Sequence, residues 1–346
     1  MPRLLHILPH EGGGGEALVD VLGRLSEFEH ERIHLSRSRD AVRGGPSIAL
    51  GRARLRRRAR DADVLHVVGD AAAMIALPAL RRRPAAVGTH GLHLLRRSGG
   101  AAGALVRRRM RAVLDAAGVV LCSSQPELDE LAAISPTAHL RLVVNGTELP
   151  PRRDPDARAA ARAALGLADD VVAGLYIAQL EDRKRPLDAV AAAERAVARG
   201  APFVLLVVGE GPLEDAVGAR AGAAVRPLGY RDDTDLLYAA SDVFVLPSER
   251  EGQALALLEA MAHELPVVVS DGVGNPEAVG ESGEVVPVGD VDALADVLVR
   301  LAGDPAERAE RGAQGRRRVE TEFSIERYLD TMRTVFTELS GQTPRR

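Results

Sequence analysis

The chain has no tryptophan, one cysteine and one lysine among its 346 residues, and aromatic side chains make up only 3% of it. The cysteine, Cys122, lies in the apolar run GVVLCSS. Alone it excludes a disulfide framework and a cysteine-built zinc site, fits a reducing compartment, and reads as a plain buried residue. Long hydrophobic runs are missing too. The opening stretch MPRLLHILPH offers only LLHIL, which is shorter than a signal peptide's apolar region or a membrane span, and no later stretch reaches membrane length. A cytoplasmic location is the expectation. There is no serine nucleophile elbow, and the nine histidines are scattered. Neither a metal set nor a hydrolytic triad is expected.

Of the 45 basic residues, 44 are arginine; the exception is Lys184, in LEDRKRPLD. Lysine is a compact point charge where arginine is a flat fork, so the exchange alters what the position can hold. The net charge of -4 is unevenly spread: residues 1–150 carry 22 Arg against 15 Asp and Glu, a net +7, which leaves -11 for the remainder. That imbalance points to an anionic partner for the first half. The basic runs GRARLRRRAR (51–60) and ALVRRRMRAVL (104–114) lack large aromatic anchors, so a solvated arginine face is preferred to contact with a membrane surface. With a negative total and no aromatic–basic motif, nucleic acid is not an expected partner.

What is present is an ordinary globular composition, 46% apolar and 27% charged, over a length that fits two domains. Strands are expected at 3–9, 31–36, 64–69, 85–90, 118–124 and 139–146, with Ala-, Leu- and Arg-rich helical segments between them. The stretch LPPRRDPDA (149–157) reads as a linker. The pattern then restarts, with strands at 171–180, 202–211, 223–229, 242–248, 265–271 and 283–289 and helices from about Leu187 to Arg199 and opening at Pro212. Alternation of this kind predicts an α/β fold of two doubly wound parallel sheets, 1–150 and 151–323. An amphipathic helix at 324–340 (Ile325, Tyr328, Leu329, Met332, Val335, Phe336, Leu339) is left to pack on either one. Ligands of such sheets sit at the carboxyl ends of the strands, and a cleft between two such domains is the expected site.

One stretch carries the clearest chemistry: EGQALALLEAM, 251–261. Glu251 falls at the mouth of a helix expected to start near Gln253, and Glu259 lies about two turns inside among Ala, Leu and Met. A carboxylate there needs a partner, such as the two hydroxyls of a ribose. The first-turn amides from Gly252 through Gln253 and Ala254 to Leu255 suit a phosphate, with Glu251 placed to accept from an attached sugar. The plainer reading has Glu251 complementing the helix dipole and Glu259 reaching solvent or an arginine. Arg183, Lys184 and Arg185 follow another strand, where cations neutralise a diphosphate; a solvated charge run is the alternative. Gly209 in GEGP and the glycines of SDGVGNPE mark further strand ends. In the first half, HEGGGGE places Gly12, Gly13, Gly14 and Gly15 between a strand and a helix, as a phosphate-hugging loop or a flexible turn; it is neither a Walker loop nor a clean GxGxxG. THGLH places His90 at a strand tip, with His93 beyond it.

Together these residues resemble the retaining glycosyltransferases of family 4, over most of the chain and most strongly from about 171 to 290. Glu251 to Glu259 is similar to that family's paired-glutamate signature, LEDRK to its diphosphate-binding loop, and VGEGPLED, LGYRDDTDLLYAASDVFVLPS, LLEAMAHELPVVVSD, THG, CSSQPELDEL and VVNGTEL to other family segments. The resemblance implies the GT-B fold, with an acceptor-binding first domain, a donor-binding second domain, and a last helix that crosses back to the first. It gives Lys184 the diphosphate, Glu251 the donor sugar, Glu259 the ribose, Tyr230 and Arg231 the flanks of the base, His90 the acceptor side, and the Gly12–Gly15 loop a closing role over the phosphates. It implies a nucleotide-diphosphate sugar as co-substrate, a small-molecule or glycan acceptor, retention at the anomeric carbon, and neither metal nor cofactor. A nucleotide-sugar epimerase or a non-catalytic sugar-nucleotide binder are the alternatives. Three positions depart from the family pattern: Gln179 stands for an arginine, Gln253–Ala254 for the Phe-Gly of Gly-Phe-Gly, and His263–Glu264 for a small residue and glycine.

Overall fold

The computed structural model describes residues 1–11, 14–36, 45–89 and 92–341. The chain folds as two compact units, Met1–Asn145 with Glu326–Arg346, and Gly146–Ile325. The first runs β1 (Arg3–Leu8), α1 (Gly14–Leu22), β2 (Glu29–His34), α2 (Gly45–Arg58), β3 (Val64–Val68), α3 (Asp70–Leu80), β4 (Ala85–Gly88), α4 (His93–Arg97), α5 (Gly100–Ala116), β5 (Val119–Cys122), α6 (Gln125–Ile134) and β6 (Leu140–Leu142). The second runs α7 (Pro155–Ala164), β7 (Val172–Ile177), α8 (Pro186–Ala198), β8 (Phe203–Val208), α9 (Glu214–Gly218), β9 (Val225–Gly229), α10 (Thr234–Ala240), β10 (Val243–Leu246), α11 (Leu255–Ala262), β11 (Val267–Ser270), α12 (Asn275–Val279), β12 (Glu284–Val286), α13 (Val291–Gly303) and α14 (Pro305–Glu322). Helix α15 (Ile325–Ser340) returns to the first unit.

Each unit holds a six-stranded parallel sheet, in the orders β2-β1-β3-β4-β5-β6 and β12-β11-β10-β7-β8-β9. Helices cover both faces, which is why β4, β5, β8 and β10 are continuous apolar runs buried at every residue. Cys122 is one of these core residues, and burial pushes its thiol up to about 12. Several helices of the second unit start as expected for their sequence. Asp154, Asp290 and Asp304 cap α7, α13 and α14 with side-chain oxygens, and Pro155 and Pro305 open two of them.

Several boundaries differ from expectation, four of them for reasons visible in the hydrogen bonding. The strand expected over 139–146 is only β6, because past Val143, whose amide still reaches Cys122 O (2.8 Å), the chain leaves the sheet and Thr147 pairs with Ser324. The strand expected over 223–229 begins only at Val225, since Gly222 and Val225 close a turn on each other. The helix expected from Pro212 starts at Glu214, because Leu213 N is first drawn to Leu180 O (2.9 Å). The expected linker is not free: Arg153 donates to Ser241 O (2.5 Å), Arg152 pairs with Glu264 (2.9 Å), and α7 begins within it.

Helix α15 buries Ile325, Tyr328, Met332, Val335, Phe336 and Leu339. Its Phe336 ring meets Phe28, His66 and His6 edge-on at 5.8, 5.5 and 6.3 Å. Beneath it runs a chain of imidazoles: His66 Nδ1 to His6 Nδ1 (2.9 Å), His6 Nε2 to His30 Nδ1 (2.9 Å), His30 Nε2 to Leu25 O (3.0 Å). A carbonyl only accepts, so neutral rings donate in one direction, His66 to His6 to His30 to Leu25. Burial, then the neighbouring His66, His30 and Arg32, hold His6 well below the usual histidine range.

Candidate active site

In the second sheet the strand order reverses between β7 and β10. Loops leaving two such neighbours part to opposite faces and open a crevice at their carboxyl ends. The loop after β7 carries Arg183–Lys184–Arg185, and the loop after β10 carries Glu251. The two are tied together by Glu249 N to Arg183 O (2.9 Å) and by the Arg183 guanidinium to Arg250 O (3.2 Å).

Here the lysine and the first glutamate meet. Lys184 Nζ donates to both oxygens of Glu251, at 2.6 and 2.7 Å, and Arg183 stands 3.7 Å from the same carboxylate. Glu251 is buried. Burial alone pushes its carboxyl up, but the Lys184 and Arg183 cations outweigh that and hold it below the ordinary range. For Lys184 burial dominates and lowers the ammonium despite Glu251. Arg183 thus brings positive charge to the region where Gln179 supplies none. Arg185, with a left-handed backbone (φ 50°), is held by Asp188 instead.

The SDGVGNPE loop builds the seat of Glu251. Arg250 and Val273 form a parallel bridge, and Glu251 N donates to Val273 O (2.8 Å). Gly274 has φ 90°, and a Cβ there would lie 2.5 Å from Glu251 O, so only glycine fits. Asn275 Nδ2 reaches Ser248 O (3.3 Å) and Ser270 Oγ (3.2 Å), closing β10 and β11 over one another.

Helix α11 starts at Leu255, not near Gln253, because Ala254 is extended (ψ 120°) and offers no side-chain cap. Glu259 is therefore one turn inside the helix, not two. The first-turn amides have no helical acceptor by construction. Glu259 Oε2 accepts from the Tyr238 hydroxyl (2.8 Å), which also lies 3.1 Å from Ala256 O. Burial raises the Glu259 carboxyl, partly offset by Tyr238. The sequence reading missed Tyr238. The available signal was a phenol in the apolar helix before β10, which once buried needs a partner.

Gly209 (φ 139°) is pressed against the Ala178 carbonyl and lines a cavity of about 370 Å³ with Leu180, Val207, Pro227 and Gly229. Tyr230 is 69% exposed, and Arg231 is turned to Asp233 (2.7 Å). In the first unit Gly14 opens α1, and a Cβ on Gly15 would lie 2.8 Å from Val68 Cγ1. Gly12, Gly13 and His90 lie outside the described residues. Among the described residues no cluster of three or more His, Cys, Asp or Glu is placed to hold a metal ion, and no helix is long and apolar enough to cross a membrane.

Two family profiles match the chain: Glycosyltransferase Family 4 over residues 16–149, and Glycosyl transferases group 1 over residues 171–304. The GDP-mannose-dependent monoacylated alpha-(1-6)-phosphatidylinositol monomannoside mannosyltransferase of Corynebacterium glutamicum is 33% identical over 185 residues, 50% of this chain and 49% of that one. The D-inositol 3-phosphate glycosyltransferase of Saccharomonospora viridis is 33% identical over 241 residues, 63% of this chain and 55% of that one. The chain thus spans about half the length of these curated relatives. Among solved structures, sucrose-phosphate synthase from Thermosynechococcus elongatus superposes with a TM-score of 0.80 at 22% identity, covering 98% of this chain and 99% of that one. HepE of Anabaena, in complex with UDP and glucose, also reaches 0.80, at 17% identity over 98% and 100% of the two chains. At these identities the likeness is one of fold, which is GT-B.

Proposed function

The chain belongs to glycosyltransferase family 4, and from that premise we propose that it moves a hexosyl unit from a nucleotide-diphosphate sugar to an acceptor hydroxyl, with retention and without a metal. The observation that carries this is the pairing of the only lysine with Glu251 at the switch point of the second sheet. A diphosphate competes with Glu251 for Lys184, and the hydroxyls of the donor sugar compete with Lys184 for Glu251. The ion pair of the ligand-free protein therefore exchanges for two pairs with the ligand.

In this reading Lys184, Arg183 and the first-turn amides of α11 stabilise the charge that grows on the leaving diphosphate. Glu259 accepts from the ribose hydroxyls. The acceptor hydroxyl attacks from the face the diphosphate leaves, and a phosphate oxygen takes its proton. A bond to the acceptor oxygen forms as the bond to the phosphate oxygen breaks, on one face, which retains configuration. His90 and the first unit are assigned to the acceptor side. The named relatives direct the choice of donors: one is GDP-mannose-dependent by its name, and HepE was solved with UDP.

Calorimetry with UDP, GDP, ADP and dTDP tests the donor site, followed by a panel of sugars on the base that binds. Binding of one nucleotide, weakened in Lys184→Ala, is the expected result. Absence of binding to all four removes the donor site, and an epimerised sugar released without acceptor replaces transfer by epimerisation.

A further inference from the structure

Resting on the reading of Glu259 as the ribose-binding carboxylate, we propose that Tyr238 is its positioning residue. Tyr238 holds one carboxylate oxygen so that the other faces the ligand, and does so in either protonation state of Glu259.

Helix α10 sets the Tyr238 ring beneath α11, buried, tilted against Phe244 (6.3 Å) and stacked on His263 (4.9 Å, 21° between planes). Its hydroxyl has two acceptors, Glu259 Oε2 at 2.8 Å and Ala256 O at 3.1 Å, but only one proton. With Glu259 ionised, the phenol donates to Oε2. With Glu259 protonated, the carboxyl donates to the phenol oxygen and the phenol donates to Ala256 O. Both arrangements satisfy the phenol. The phenol engages Oε2, while Oε1 of this half-buried carboxylate makes no hydrogen bond among the described residues, so Oε1 is the oxygen left for a ligand. A lone glutamate on a helix samples several rotamers; this bond selects one before the ligand arrives.

The charged surroundings are few. Burial, with Asp235 of α10 adding to it, raises Glu259, and burial, then Glu259 and Asp235, holds the phenol well above its ordinary range, so it stays a donor. His263, at the end of α11, lies 3.5 Å from Asp235 and is lowered by burial, with Arg153 and Arg316 facing it. It stands where the family has a small residue, and its ring covers Tyr238.

The test is calorimetry with GDP and UDP and their 2′-deoxy counterparts from pH 5 to 8, on the wild type, Tyr238→Phe, Glu259→Gln and the double variant. Titration of the diphosphate is common to all four and cancels in their differences. Tyr238→Phe is expected to weaken the ribonucleotide about tenfold, and the 2′-deoxy form by less. It should also move the acid limb of binding to higher pH, because the lost bond had lowered the carboxyl. In the Glu259→Gln background the same substitution should cost less than about twofold. A full tenfold loss in that background, or an unmoved acid limb, overturns the positioning role. Glu259→Gln binding as well as the wild type overturns the ribose role itself, and the proposal with it. Should Tyr238→Phe fail to fold, the chain carrying 3-fluorotyrosine at its four tyrosines decides: the more acidic phenol donates more strongly to Glu259, so the acid limb should move to lower pH, and an unmoved limb overturns the positioning role.

Discussion

The two ends of strand β10 carry opposite solutions to the same problem. Asp242, just before the strand, and Glu251, just after it, are both buried carboxylates paired with a cation. At the amino end the pairing is closed. Arg162, 1% exposed, donates to Asp242 (3.0 Å) and to the carbonyls of Ala240, Ala168 and Val171 at 3.1, 2.5 and 2.6 Å; its Nε alone of the three nitrogens lacks a partner among the described residues. Asp242 also accepts from Ala173 N (2.9 Å) and pairs with Arg158. At the carboxyl end the two hydrogen bonds of Lys184 Nζ both go to Glu251. Backbone carbonyls that belong to the fold cannot be displaced, whereas a partner that is itself a side chain can be exchanged for a ligand. The amino end maintains the unit; the carboxyl end is available for chemistry.

The strongest way to break this comparison is Arg162→Ala. It leaves Asp242 buried beside strands β7 and β10, and removing one partner of a buried pair costs about 3–5 kcal/mol. Urea unfolding should show that loss. Lys184→Ala should behave differently. Lys184 Nζ holds no carbonyl of the fold among the described residues, whereas Arg162 holds three, so the ligand-free protein should lose less, while turnover falls by about 10²–10³. Nucleotide at 100-fold its Kd should stabilise the wild type by about 2.7 kcal/mol, and this increment should vanish in Lys184→Ala. Equal losses of ligand-free stability in the two variants would erase the distinction.

The histidine chain under α15 is a third closed network, and pH probes it. His6 titrates below its unfolded value, so the unfolded chain binds the extra proton first. Stability is complete above about pH 6.5 and falls as the pH drops, by about 1.4 kcal/mol per unit and per such group. Urea midpoints at pH 7.5 and 5.5 should differ in the wild type and converge in His6→Gln. The smallest effect is expected at Glu264. It sits at φ 59°, where glycine is usual, held by Arg152 (2.9 Å) and near Arg316 (3.7 Å). Glu264→Gly relieves left-handed strain and loses an exposed pair, so it should lie within about 1 kcal/mol of the wild type. Rising salt should shift the balance toward the glycine variant, as the ion pair is screened.

Much of this was legible in the sequence because parallel strands buried on both faces are continuous apolar runs. VVLC, FVLLVV and VFVL announce themselves, and Glu251, Glu259 and Lys184 stand out by being charged or solitary where their surroundings are not. The pairing of Lys184 with Glu251 was not legible. It spans 67 positions and depends on β7 and β10 being neighbours, which the strand order decides. What the linker's arginines hold was not legible for a related reason: the Ser241 carbonyl that Arg153 reaches and the Glu264 carboxylate that Arg152 reaches are distant in sequence. Tyr238 was missed because a tyrosine in an apolar helix reads as core, and only the fold shows that its hydroxyl meets Glu259.

The solitary lysine also makes the protein its own reporter. An amine-directed reagent has one side-chain target in the whole sequence, and that target is clasped by Glu251. Once the terminal amine is accounted for, the rate of acylation reads how often the clasp opens, and protection by a nucleotide reads its occupancy. No engineered label is needed.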